Sequence, residues 1–108
     1  MKVKVYLTSR KKDANAEAIY EGQTITVLAG GKISECFAEH IRSGKTAKSC
    51  RENKEYVDTN RNIIKDCSFK SPSIAAQFVL GRSVNGYRAW RVDKKKDLGA
   101  YLSELGLR

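Results

Sequence analysis

Between positions 82 and 96 six cations, Arg82, Arg88, Arg91, Lys94, Lys95 and Lys96, stand against a single acid, Asp93. Tyr87 and Trp90 interleave with them, and Ser83 and Asn85 are the polar residues of the same segment. Such a set can serve a nucleic acid twice: cations reach phosphate oxygens, and a ring stacks on an unstacked base. The same residues can equally form a basic hairpin with its aromatics turned inward, Trp90 packing beside Val92.

Other chemistry finds less support. A metal-dependent nuclease needs clustered carboxylates, but the acids near this segment, Asp66, Asp93 and Asp97, are scattered. On a helix, Cys36 and the sole histidine, His40, would share a face. No third group marks itself to orient such a pair, and no oxyanion hole is evident. Cys36, Cys50 and Cys67 are 14 and 17 residues apart, without the close ligand pairs of a zinc site. Free, reduced, partly buried thiols are expected, with no metal, no cofactor and no independent catalysis.

The whole chain is basic, with 21 Lys and Arg against 12 Asp and Glu and a net charge of +9. A surface of that sign attracts polyanions, nucleic acid first and then acidic proteins or anionic lipid. With 41% apolar and 31% charged residues over 108 positions, a single domain spanning residues 1–108 is expected. No apolar run approaches the roughly 18 residues of a membrane span. Met1–Val5 lacks the apolar stretch of an export signal, so a cytoplasmic address is expected.

The elements that must position these residues begin with a meander over residues 2–29. Val3, Val5 and Leu7 alternate with Lys4, Tyr6 and Thr8, which predicts a strand from Lys2 to Thr8 with one face on a core. Arg10–Asp13 is a polar loop, Ala16–Tyr20 a second strand, Glu21-Gly22 a turn and Thr24–Leu28 a third strand ended by Gly30-Gly31. From Ile33 to Asn62 the pattern loosens. Phe37, Ala38 and Ile41 have helical spacing until Ser43-Gly44 interrupts, and a helix from about Thr46 to Val57 is expected. Arg42, Lys45, Lys48, Arg51 and Lys54 recur every third residue. Steps of three drift by about 60° around a helix, so these cations spread over a solvated surface instead of forming a stripe. A loop at 58–62 and a short strand from Ile63 to Cys67 follow.

Residues 69–90 carry the most specific local chemistry. Ser71 suits an N-cap, Pro72 the first helical position, and Gly81 a left-handed C-terminal cap. Ile74, Ala75, Phe78 and Val79 form the apolar stripe that would cover the sheet, with Ala75 and Ala76 small enough for close approach. Asn85-Gly86 then suits a type I′ turn, and Tyr87–Val92 alternates like a strand. Leu98, Tyr101, Leu102 and Leu105 have helical spacing, with the helix broken or started around Gly99.

The pattern carried by Phe69, Ser71, Pro72, Ser73, Ala75, Ala76, Val79, Leu80, Gly81, Arg82, Ser83, Asn85, Gly86, Tyr87 and Trp90 resembles a family signature. It is that of a bacterial domain of unknown function commonly found C-terminal to GIY-YIG nucleases and in restriction–modification proteins. It is also similar to the RAMA domain group of restriction enzymes and adenine methylases. Thr26–Gly30 resembles the strand-to-glycine turn that precedes the signature. Tyr87 departs from it, standing where tryptophan is frequent, and the chain has no GIY-YIG motif of its own. The resemblance implies a DNA-directed accessory module, in the RAMA case one that senses modified DNA.

The combined expectation is an α+β fold: a small antiparallel sheet, made of the N-terminal meander plus C-terminal strands, covered by one or more short helices. Phe69, Ser71, Pro72, Ser73, Ala75, Ala76, Phe78, Gly81, Gly86 and Trp90 are expected to be structural. Arg82, Ser83, Asn85, Tyr87, Arg88, Arg91, Lys94, Lys95 and Lys96 form the expected DNA-contacting set. The alternative is a module that docks to a nuclease or methylase partner.

Overall fold

Alternating apolar and polar residues give the sheet its two unlike faces. The computed structural model describes residues 2–9, 14–22, 24–34, 45–82 and 84–106. Strands β1 (Lys2–Thr8), β2 (Asn15–Glu21), β3 (Thr24–Val27) and β4 (Cys67–Phe69) pair antiparallel in that order. Register brings Val5, Ala18, Val27 and Cys67 into one row, and Val3, Tyr20, Ile25 and Phe69 into the next. All eight are buried. The opposite face is polar and open, with Lys2 paired to Glu21 and Lys4 to Glu17 across β1 and β2.

Helix α2 (Pro72–Leu80) covers the apolar face, built as its sequence dictates. The Ser71 hydroxyl accepts from Ile74 N at 3.2 Å, Pro72 opens the first turn, and Gly81 closes the last at φ 72°. Its Ala75, Ala76, Phe78 and Val79 are fully buried, and the Phe78 ring packs at 5.2 Å from that of Phe69. Burying a side chain such as Phe78 stabilises by about 1.5–3 kcal/mol. Three further helices surround this core: α1 (Lys45–Glu52), α3 (Gly86–Ala89) and α4 (Leu98–Glu104). Asp97 caps α4 by accepting from Ala100 N at 2.8 Å, so the helix starts at Leu98 and runs through Gly99, burying Leu98 and Leu102.

Four expectations are corrected. Helix α1 stops at Glu52 instead of Val57, because Asn53 turns the chain: its Oδ1 accepts from Glu55 N at 2.9 Å. Ile63–Cys67 is not a strand: Ile63 forms an isolated bridge with Val57 and bonds the backbone of Gly30 and Gly31, Asp66 Oδ1 accepts from Ala29 N, and regular pairing starts at Cys67. Tyr87–Val92 is not a strand either, and Asn85-Gly86 is not a hairpin turn. Asn85 is the N-cap of α3, its Oδ1 accepting from Tyr87 N at 3.0 Å, and Gly86 is the helix's first residue. The Arg10–Asp13 loop, the 37–41 helical spacing, Arg42, Ser43-Gly44, Cys36, His40 and Ser83 lie outside the described residues, as does the Lys45 side chain.

Candidate functional site

The signature residues lock α3 onto the start of α2. Gly86 N donates to Ser73 Oγ at 3.0 Å, and Trp90 Nε1 donates to Pro72 O at 3.0 Å. A Cβ at Gly86 would overlap the backbone of Pro72 and Ser73, so only glycine permits this approach. Trp90 is 0% exposed, which makes it a core residue with its indole N–H satisfied, not a stacking platform. Ser71, Pro72, Ser73, Gly81, Gly86 and Trp90 therefore all act as structural parts.

Of the cations that follow, Arg91 and Lys94 lie at the outer edge of the sheet. Arg91 and Tyr6 exchange two backbone hydrogen bonds at 2.8 Å, and Arg91 also bridges Asp97. Paired residues of an antiparallel ladder project to one face. Tyr6 points away from the core, so Arg91 shares its open face, beside Lys4, whose Nζ lies 5.7 Å from the Tyr6 ring centroid. A surface groove of about 450 Å³ runs along this edge, lined by Tyr6, Thr8, Ala89, Arg91, Val92 and Lys94 together with Asp93. Tyr6 is absent from the sequence-derived set. Its outward place in the β1 alternation was the available signal, but its neighbour Arg91 lies 85 positions later.

The predicted contact residues divide by what they already hold. Arg82, Arg88, Lys94 and Lys95 are exposed and make no ion pair among the described residues. The Arg91 guanidinium is exposed and donates to Lys94 O at 3.2 Å. Lys96 is engaged with Glu104 at 2.6 Å, and that hydrogen bond holds its pKa above the usual lysine value. Asn85 is spent on its cap, and Tyr87 is half-buried. Nearby acids are also engaged: Asp93 Oδ1 accepts from Lys95 N at 2.7 Å, as Asp97 and Asp66 do from Ala100 and Ala29. Among the described residues no three His, Cys, Asp or Glu side chains converge as metal ligands.

One member of the every-third-residue cation run turns inward. Arg51 donates to Phe78 O at 2.9 Å and to Ser34 O, clasping the end of α2 and the 33–34 segment. Cys50 is half-buried and Cys67 buried, both as free thiols. Burial, then the neighbouring Cys50, pushes the Cys67 thiol up to about 12, leaving it protonated and unreactive at neutral pH.

Among the described residues no helix is long and apolar enough to cross a membrane. No curated protein and no solved structure matches the chain. A family model described as domain of unknown function (DUF4357) matches residues 5–102, and the chain belongs to that family.

Proposed function

We propose that this chain is a non-catalytic DNA-binding accessory module that works beside a nuclease or restriction–modification enzyme and can read modified DNA. One observation supports it above the rest. Arg82, Arg88, Lys94 and Lys95 are exposed without an acid partner among the described residues, and Lys94 joins Tyr6 and Arg91 along one groove. Exposed cations whose charge is not cancelled internally suit a phosphate backbone, and Tyr6, 42% exposed, offers a ring to a base.

Salt-titrated fluorescence anisotropy with duplex, single-stranded and methylated DNA tests the proposal. Four phosphate contacts give a log–log salt slope near −3.6, so affinity should fall about 150-fold between 50 and 200 mM salt. Replacing Arg88 and Lys94 together by glutamine should cut the slope by about 2 and leave the thermal melt unchanged. No binding at low salt, or a flat salt response, refutes DNA binding. A stable complex with a nuclease or methylase in its place would favour the docking alternative. Stronger binding to methylated than to unmodified duplex supports the modified-DNA element, and equal binding removes it.

A further inference from the structure

A second cationic site lies away from the sheet edge, in a cleft of about 260 Å³ between α1 and the loop that joins Val57 to Ile63. Lys48, Arg51, Lys54 and Arg61 line it, against the carboxylates of Glu52 and Asp58. The Asp58 carboxylate is already occupied. Its Oδ1 accepts from Asn60 N and Asn62 N and its Oδ2 from Asn62 Nδ2, and these hydrogen bonds, led by that from Asn62 N, keep it ionised below the usual range. Among the described residues, Lys48, Lys54 and Arg61 make no ion pair.

Arg61 is the unusual member. Asp58 N donates to Asn62 O and Arg61 N to Asp58 O, closing a three-residue loop across the Val57–Ile63 bridge. Such loops place a left-handed residue third, ordinarily glycine. Here Arg61 takes that conformation, at φ 67°, the one positive φ at a non-glycine residue among those described. Its Nε is also buried without a hydrogen-bond partner. Both features carry a cost that glycine would remove, and the one hydrogen bond made at this turn, from Ile33 N to Arg61 O at 2.9 Å, is a backbone bond that glycine would keep. Local rules broken without internal return mark sites that meet a ligand.

We propose that this cleft binds a phosphate monoester or free phosphate, with the guanidinium of Arg61 and the ammonium groups of Lys48 and Lys54 supplying the positive charge. A guanidinium presents its N–H donors as a planar fork that suits phosphate oxygens. The cleft is smaller than the roughly 300–1,000 Å³ of drug-sized ligand sites, which favours a small anion. Its residues come from positions 33–61, so the proposal is independent of DNA contact by residues 82–96.

The test is an amide NMR titration of the wild type and of Arg61→Gly with inorganic phosphate and with adenosine 5′-monophosphate. Saturable shifts are expected at Thr59, Asn60, Arg61 and Lys48, weakened at least tenfold in Arg61→Gly, which should melt no lower than the wild type. Binding of both ligands assigns the site to the free anion, and binding of the nucleotide alone assigns it to an ester whose remaining part fills the cleft. Absence of shifts in the 58–62 loop with either ligand overturns the proposal, as does unchanged affinity in Arg61→Gly.

Discussion

Replacing Gly86 by alanine adds one methyl group where two helices meet through their backbones. The atoms it would overlap, Pro72 C and O and Ser73 N, are all main chain, so no rotamer change can clear it. Helix α3 must retreat by about 1 Å, which takes the Gly86–Ser73 and Trp90–Pro72 hydrogen bonds, both 3.0 Å, out of bonding range. Each interior donor left unpaired costs about 1–3 kcal/mol, and the forced repacking adds about 1–3 kcal/mol. A loss of about 4 kcal/mol is expected, a large part of the roughly 5–15 kcal/mol that holds a domain of this size. The control is Gly22→Ala, at φ 64° with nothing near its Cβ position, which should cost only about 1 kcal/mol. Urea unfolding followed by circular dichroism compares the two. Ser73→Ala, which removes only the hydroxyl acceptor, gives a milder reading if Gly86→Ala does not fold. A Gly86→Ala loss no larger than that of Gly22→Ala would refute the close packing of α3 on α2.

Arg51→Ala should destabilise by about 2–3 kcal/mol by removing charged hydrogen bonds to Phe78 O and Ser34 O, and Arg51→Lys should recover only part of that loss in denaturant melts. Arg61→Gly should match or exceed wild-type stability by up to about 1 kcal/mol, since glycine relieves the left-handed strain but loosens the unfolded chain. The Cys67 thiol, raised from 9.0 to about 12, binds more protons in the native than in the unfolded state between those values. Its stabilising contribution is thus complete below pH 9 and is lost as pH rises toward 12, so the wild type should lose more stability over that window than Cys67→Ala. In anisotropy titrations Lys95→Gln should weaken DNA binding more than Lys96→Gln, because Lys96 is already held by Glu104.

What could be read from the sequence was local. The β1 alternation appears as drawn, and Ser71, Pro72 and Gly81 bound α2 because each acts within one helical turn. Gly86 was misassigned because its reason is Pro72, 14 positions back and invisible to turn propensities. The Tyr87–Val92 alternation arose from a helical turn followed by a single bridged residue, two pieces that mimic a period of two over six positions. Arg51 was hidden inside a run of similar cations, and only the carbonyls of α2 distinguish it. Of the candidate interface, the charge is legible in the sequence, whereas its aromatic is not: Tyr6, and not the half-buried Tyr87, lines the groove.

The Tyr6–Arg91 bridge also governs how open one edge of the sheet is. β1 pairs with β2 along its whole length, but among the described residues its other edge is bridged at Tyr6 alone, by a residue 85 positions later. An unpaired strand edge invites pairing with a neighbouring chain. Lys2 and Lys4, at the exposed positions of β1 and paired with Glu21 and Glu17, place charged side chains along that edge, which disfavours a second copy adding there. The bridging residue, Arg91, belongs to the segment that holds the cations of the candidate interface, so the groove exists only while that segment is docked on β1.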